Sequence, residues 1–150
     1  MIRRATPDEL DLCLALRRRV FIEEQGVSEA EEIDGRDADA IHLLAEEGGR
    51  VLGTARLLLP PGGRIGKIGR VCVLPEARGT GLGAALIRAA LDECRRHPTV
   101  QEARLGAQTH ALGFYQRLGF QPFGPEYLDA GITHRDMKLP LRPPLAEPDP

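Results

Sequence analysis

The chain has 150 residues, 42% of them hydrophobic, which suits one compact domain and leaves little room for a second. Its formal net charge is only -2, so we expect no general attraction to nucleic acid or to an anionic membrane. No apolar run approaches the roughly 20 residues of a membrane-spanning helix, and the N-terminus lacks the apolar stretch of a signal peptide. These features predict a cytoplasmic protein with neither nucleic acid nor membrane as a partner.

The first half of the chain predicts a helix and then an antiparallel meander. Thr6-Pro7 is typical of a helix start, an apolar stripe at helical spacing follows, and Gly26 ends the helix. A short second helix is expected over 28–32. Turns rich in glycine and proline then separate apolar segments, which predict strands over 40–45, 51–59 and 65–73.

The second half alternates strands and helices. Strands are predicted over 100–105, 121–123 and 133–138, and helices over 81–96 and 111–118. Residues 139–150 form a proline-rich tail that we expect to be disordered. Residues 1–138 then make one α/β domain with a mixed sheet, in which an antiparallel meander is followed by a βαβ unit.

The three cysteines, Cys13, Cys72 and Cys94, lie far apart in the sequence. They show no metal-ligand spacing, and any disulfide scheme leaves one of them unpaired. We expect buried, reduced thiols and no metal site.

A glycine-rich turn opens the helix over 81–96 and reads Arg78-Gly79-Thr80-Gly81-Leu82-Gly83. Glycines let a ligand approach the backbone closely, and the N-terminus of a helix favours negative charge. The turn therefore predicts a diphosphate site. It is not a Walker loop, because it lacks the Gly-Lys-Ser/Thr ending of that motif.

A dinucleotide loop is a closer rival, because residues 79–84 satisfy the Gly-x-Gly-x-x-Ala pattern. That class of site also needs an acidic residue at the end of the next strand. Here Glu102 lies near the beginning of that strand, which ends with Leu105-Gly106-Ala107-Gln108. The turn also follows a third antiparallel strand, not the opening strand of a βαβ series, so a dinucleotide is disfavoured.

Two motifs resemble those of the GNAT superfamily of N-acetyltransferases. The first is Val-x-Pro-x-x-Arg-Gly-x-Gly-x-Gly over 73–83, and the second is Ala-x-x-x-Tyr-x-x-x-Gly-Phe over 111–120. The order of strands and helices also fits this family along nearly the whole chain. The resemblance implies a splayed central pair of strands, acetyl-coenzyme A as cofactor and a small-molecule amine as substrate, and it leaves a homodimer open.

The N-terminal half is similar to the ElaA-like branch of that superfamily. The pattern comprises Leu16-Arg17, Val20-Phe21, Glu24-Gln25, Asp34, Asp37, Ala40, His42 and Ala55-Arg56-Leu57. Much of this framework also resembles acyl-homoserine-lactone synthases, which lack the full Arg-Gly-x-Gly-x-Gly turn. Lactone synthesis and a non-catalytic acyl-coenzyme A sensor therefore stay open as alternatives to N-acetylation.

The resemblance also assigns cofactor contacts. Backbone groups of residues 71–73 are implied to bind the pantetheine arm and the thioester carbonyl, and the amides of residues 78–83 the pyrophosphate. The cofactor-binding candidates are Val71, Cys72, Val73, Arg78, Gly79, Thr80, Gly81, Leu82, Gly83, Gln108, Phe114 and Tyr115. Many family members have Asn at the position of Gln108, so its contact with the cofactor is left open.

Tyr115 occupies the family's position for the general acid, which protonates the leaving thiolate of coenzyme A. A phenol suits this role because it stays protonated at neutral pH. Cys72 could carry the acetyl group itself, but it has no evident partner base, so we expect direct transfer. The general base is open among Glu23, Glu24, Asp34, Asp37, His42 and His134, of which we favour Glu24, His42 and His134 as residues that line the cleft.

Overall fold

The computed structural model describes residues 1–142, which build one seven-stranded sheet with helices on both faces. The strands are β1 (Ile2–Arg4), β2 (Ile41–Glu47), β3 (Arg50–Leu58), β4 (Ile65–Val73), β5 (Glu102–Gln108), β6 (Gln121–Asp129) and β7 (Ile132–Pro140). The α-helices are α1 (Leu10–Arg17), α2 (Glu29–Glu32), α3 (Leu82–Arg95) and α4 (Leu112–Arg117). The strand order is β1-β2-β3-β4-β5-β7-β6, with β4 and β5 parallel and the other neighbours antiparallel. The predicted mixed sheet, a meander followed by a βαβ unit, is confirmed.

The predicted first helix consists of three helical segments in series. Pro7–Glu9 forms a 3-10 turn, α1 follows, and Arg18–Glu24 winds as a π-helix. Gly26, with a φ of 74°, ends the run. Single π-helical turns often lie at functional sites, and Phe21 of this segment lines the cleft described below.

The two faces of the sheet pack against different helices because side chains alternate between faces along each strand. On one face, Leu86 and Ala90 of α3 are buried with Ile68 of β4. On the other face, Leu16 of α1 is buried with Cys72 of β4. None of the helices within residues 1–142 has the length and apolar character that crossing a membrane requires.

The centre of the sheet is splayed. Strands β4 and β5 pair only from Ile65 opposite Glu102 to Lys67 opposite Arg104, and the ladder stops there. A bulge in β4 lies just beyond, because Arg70 and Val71 together oppose a single residue of β3, and Arg70 has a φ of 52°. Bulges bend the strand that carries them, which here opens a gap between β4 and β5.

The ends of several elements differ from the sequence prediction. Strand β1 was not predicted, since three residues are too few to show alternation. Strand β5 ends at Gln108 and β6 at Asp129, both later than expected.

The last strand also continues past the predicted domain end at residue 138. Leu139 and Pro140 pair with Ala103 and Glu102, because Leu139 and Leu141 pack against the core and hold the chain in the sheet. The predicted disordered tail is therefore wrong for residues 139 and 140. Residues 143–150 lie outside the described part of the chain.

Candidate active site

A cleft of about 660 Å³ opens where β4 and β5 separate. Residues 67–71 of β4 line one side of it. Leu105, Gly106 and Gln108 of β5 line the other side, together with side chains from the β6–β7 hairpin and from the segment between the π-helix and β2. A concave site of this size is typical of a small-molecule binding site, and the many polar side chains along this one suit a polar ligand.

The glycine turn leads from β4 into α3 as predicted. Gly79 and Gly81 have φ values of 79° and 88°, in the left-handed region that favours glycine. Within residues 1–142 no side chain caps α3, so its first backbone N–H groups are available to a ligand. A carbon atom added at either glycine would meet nothing within 4 Å, so a ligand can reach the backbone there. This arrangement fits a diphosphate.

Side chains tie the turn to the end of β4. The Thr80 hydroxyl donates a hydrogen bond to the Ala77 carbonyl at 2.5 Å, and Arg78 Nε donates to the Val73 carbonyl at 3.1 Å. The Arg78 guanidinium also contacts the Glu24 carboxylate at 2.7 Å. The Arg78 backbone N–H also has a partner, because it donates a hydrogen bond to the Pro75 carbonyl at 3.3 Å. The amides that remain for a ligand therefore lie after Arg78 in the turn.

The predicted cofactor residues of β4 divide between the two faces. Val71 lines the cleft, whereas Cys72 is 6% exposed and packs beneath α1. Burial raises the pKa of the Cys72 thiol far above its usual range. A thiol that stays protonated is a poor nucleophile, so the geometry disfavours an acetyl-cysteine step.

Tyr115 lies on α4 at the cleft, with Phe114 beside it. The two rings meet edge to face, 5.0 Å between centroids, and Tyr115 packs in the same manner on Phe120 at 6.0 Å. Burial raises the pKa of Tyr115 to about 12, which keeps the phenol protonated at neutral pH. A side chain at Gly83 would lie 3.5 Å from the Phe114 ring, so Phe114 connects the glycine turn with the cleft.

Gln108 ends β5 at the edge of the cleft. Its amide nitrogen donates a hydrogen bond to the Gln25 side chain at 2.9 Å, and His110 Nε2 lies 2.7 Å from its amide oxygen. Both ends of the Gln108 amide are thus bound to protein groups. Its predicted contact with the cofactor would require one of these bonds to be replaced.

His134 is the favoured base candidate that the structure brings to the cleft. Its Nδ1 lies 2.7 Å from the Ile132 carbonyl. A carbonyl can only accept a hydrogen bond, so Nδ1 carries the proton, and in the neutral imidazole Nε2 carries the lone pair. This tautomer leaves Nε2 free to accept a proton.

The other two favoured base candidates lie elsewhere. Glu24 contacts Arg78 outside the cleft, and His42 is 8% exposed with its Nε2–H donated to the Asp37 carbonyl at 2.9 Å. Our expectation that both line the cleft is therefore wrong. The physical reason is local: a cation next to Glu24 and a backbone carbonyl next to His42 provide the partners that each side chain needs.

A network of arginines and carboxylates lies at the cleft, and four of its six members line it. Its members are Arg17, Arg56, Arg70, Glu32, Asp34 and Asp37. Glu32 contacts Arg17 at 2.8 Å and Arg70 at 2.7 Å, and the side chains of Arg17 and Glu32 are only 1% and 3% exposed. The network has equal numbers of positive and negative charges, so it is neutral as a whole.

The network also makes Asp34 and Asp37, two of the remaining acidic base candidates, poor proton acceptors. A hydrogen bond from Arg56 holds the pKa of Asp34 well below its usual range. Burial alone would raise the pKa of Asp37, but Arg17 and Arg56 outweigh it and lower the pKa. Both carboxylates stay ionised at neutral pH and act as structural partners of the arginines.

Comparison with known proteins places this geometry in a family. The family model described as an acetyltransferase (GNAT) domain matches residues 6–141. The chain belongs to the GNAT acetyltransferases. It is 35% identical to the ElaA protein of Escherichia coli over 132 residues, which are 86% of either chain. It is also 33% identical to YjcF of Bacillus subtilis, an uncharacterized N-acetyltransferase, over 87% of this chain and 91% of that one.

A solved structure agrees with this assignment. An acyl-CoA N-acyltransferase from Pseudomonas aeruginosa superposes with a TM-score of 0.80 at 34% identity, covering 93% of this chain and 97% of that one. This GNAT protein is thus an N-acetyltransferase enzyme of the ElaA-like branch, with the acyl-CoA N-acyltransferase fold and a coenzyme A-type cofactor. Both predictions of family and enzyme class are confirmed.

The sequence reasoning missed residues of this GNAT enzyme that shape the cleft. Tyr127 lines it from β6, and Gly106 lines it from β5. The predicted strand stopped at residue 123, so Tyr127 had no assigned position. The signal in the sequence is Gly131, since glycine is common in tight hairpin turns; in the structure both Ala130 and Gly131 have positive φ.

Proposed function

We propose that this enzyme transfers the acetyl group of acetyl-coenzyme A to a primary amine of a small molecule, by direct attack of the amine. One observation carries the proposal: His134 and Tyr115, a base with a free Nε2 and a protonated acid, line the same cleft between the separated strands. Acetyl-coenzyme A supplies the activated acyl group as a thioester. A cytoplasmic location and a homodimer stay predictions.

The base step is assigned to His134. An amine must lose a proton before or during attack on a carbonyl, and a histidine is the side chain most often used for this at neutral pH. The fixed tautomer of His134 presents Nε2 for that proton. Its position on the β6–β7 hairpin favours an acceptor that enters from this side of the cleft.

The acid step is assigned to Tyr115 of α4, and the stabilisation of the developing charge to backbone groups of β4. Backbone N–H groups at the bulged end of β4 are candidates to stabilise the charge that develops on the thioester oxygen, because β5 leaves that edge of the strand unpaired beyond Lys67. Tyr115 is then the donor to the leaving thiolate. The amides of residues 79–83 are the proposed pyrophosphate contacts; the Arg78 amide of the predicted set donates to the Pro75 carbonyl instead.

The proposal is tested by measuring thiol release from acetyl-coenzyme A against a panel of primary amines, including amino acids, polyamines and arylalkylamines. Amine-dependent release with N-acetylated product is expected. Tight coenzyme A binding without release under any amine would support a sensor instead. Lactone formation from an acyl donor and S-adenosylmethionine would support the synthase alternative.

His134→Gln is expected to lower kcat by about 100-fold or more, because loss of a general base costs about that much. Coenzyme A affinity, measured by calorimetry, should stay within about twofold of wild type. His97→Gln is the matched control, since His97 lies outside the cleft, and its kcat should not change. An unchanged kcat for His134→Gln would exclude it as the base.

Tyr115→Phe is expected to lower kcat by about 100-fold, because the phenyl ring keeps the packing on Phe120 but has no proton to donate. The melting temperature and coenzyme A affinity should be nearly those of wild type. Assays with an acyl donor whose leaving thiol has a low pKa provide the internal control, since such a thiol needs no acid. Equal losses with both donors would contradict the role of Tyr115.

A further inference from the structure

Three side chains stand in a row across three strands next to the base. Gln108 of β5 is directly opposite His134 of β7, and His134 is directly opposite Tyr127 of β6. The Tyr127 and His134 rings are stacked, with 5.9 Å between centroids and 21° between planes. The Tyr127 ring therefore covers one side of the His134 imidazole, and the proposed catalytic steps give Tyr127 no role.

The Tyr127 ring is itself anchored at its far end. Its hydroxyl donates a hydrogen bond to Asp136 Oδ1 at 2.6 Å, so the ring extends diagonally over β7. Burial and the neighbouring Asp136 raise the pKa of Tyr127, which keeps the hydroxyl a donor. Asp136 thus fixes the direction of the ring that stacks on His134.

Gly106 is the residue that gives the Tyr127 hydroxyl its space. Gly106 lies on β5 directly opposite Asp136 of β7. A carbon atom added at Gly106 would lie only 2.5 Å from the hydroxyl oxygen of Tyr127. The next neighbours of that added atom are at 3.7 Å or more. The Tyr127 hydroxyl is therefore the only close obstacle to a side chain at position 106 in the described chain.

We propose that Tyr127 is a positioning residue, which holds the His134 imidazole in the orientation that accepts the proton of the amine, with Asp136 anchoring Tyr127 and Gly106 leaving room for it. The inference rests on the proposed role of His134. The hydrogen bond from Nδ1 to Ile132 fixes the tautomer, but one bond leaves the ring free to rock about it. Stacking on a second, anchored ring restricts that motion.

The first test compares two replacements of Tyr127. Tyr127→Leu removes the stack and is expected to lower kcat roughly 10- to 100-fold, since a displacement of about 1 Å of a reacting group can cost about 100-fold. Tyr127→Phe keeps the ring and loses only the anchor, so kcat should stay within about threefold of wild type. Equal kcat values for the leucine and wild-type enzymes would overturn the proposal.

The second test uses the space at position 106. Gly106→Ala should force the Tyr127 hydroxyl away and lower kcat about 10-fold. Adding Tyr127→Phe removes the obstructing oxygen, so the double variant should recover to within about threefold of Tyr127→Phe alone. A merely destabilising effect of alanine on the strand would not be relieved in this way. If adding Tyr127→Phe to Gly106→Ala does not restore kcat, the proposed packing of the Tyr127 hydroxyl against Gly106 is contradicted.

A double-mutant cycle separates this inference from the proposed function. If Tyr127 acts through His134, then Tyr127→Leu should change kcat by less than about twofold in the His134→Gln background. If Tyr127→Leu lowers kcat by the same factor in the wild-type and the His134→Gln enzymes, the positioning role is overturned while His134 remains the base. A His134→Gln enzyme with wild-type kcat would contradict the proposed role of His134 as the base, whereas absence of amine-dependent thiol release in the wild-type enzyme would contradict the proposed function. Melting temperatures measured for all variants identify any that fail to fold.

Discussion

Gly81→Asp is expected to abolish detectable binding of coenzyme A. The aspartate would place a carboxylate at the N-terminus of α3, where we propose that the pyrophosphate binds. At a separation of about 4 Å and an effective dielectric constant of about 20, repulsion between two unit charges is about 4 kcal/mol. That energy corresponds to about 1,000-fold in the dissociation constant, measured by calorimetry or by fluorescence of a bound coenzyme A analogue.

Gly81→Asn is the matched control for this experiment. Asparagine has the same shape as aspartate, carries no charge and tolerates the left-handed region better than most residues. An added side chain at Gly81 meets open space, so both variants should fold. Affinity of the asparagine variant should fall by about tenfold or less. Equal affinities for the aspartate and asparagine variants would refute the assignment of the turn as a diphosphate site.

Glu32→Gln is expected to be the most destabilising single change in the arginine–carboxylate network. It removes one negative charge from a neutral set and leaves Arg17, whose side chain is 1% exposed, with Asp37 as its one ionised partner. Breaking a buried ion pair from one side costs about 3–5 kcal/mol, and here it leaves the buried network with one uncompensated positive charge. Urea unfolding at pH 7 measures this loss in the free energy of unfolding.

Two variants calibrate that measurement. Glu29→Gln breaks the Arg18–Glu29 contact, whose side chains are 53% and 61% exposed, and it should cost less than about 1 kcal/mol. Arg17→Met combined with Glu32→Leu removes one charge of each sign and restores neutrality. Its cost should be smaller than that of Glu32→Gln alone. If Glu32→Gln lowers the free energy of unfolding by no more than Glu29→Gln does, the network contributes little to stability.

Local patterns were sufficient for the middle of most elements. The strands of the meander and the helix α3 were predicted within a few residues, because their apolar residues repeat with the period of the structure that buries them. The π-helix after α1 was not predicted. Its winding differs from that of an α-helix by a fraction of a residue per turn, which seven residues cannot reveal as a pattern.

The cofactor half of the candidate site was predictable because it is contiguous in sequence. The glycine turn and α3 carry their own conformational requirements, so adjacent residues were enough to predict the turn and to propose that it binds a diphosphate. The acceptor half was not predictable to the same degree. Of the three favoured base candidates only His134 lines the cleft. Sequence spacing did not indicate that Glu24 contacts Arg78, 54 residues later, or that His42 bonds to the backbone carbonyl of Asp37.

By itself, the sequence determined the family, the class of enzyme and the position of the glycine turn before α3, because these depend on residues that act within short segments. The tertiary structure alone decided that His134 lines the cleft and His42 does not, that Tyr127 stacks on His134, and that a side chain at position 106 would meet the Tyr127 hydroxyl. Those relations join β5, β6 and β7, whose order in space differs from their order in the chain. Strand register sets such contacts, and register is fixed only when the whole sheet packs against its core.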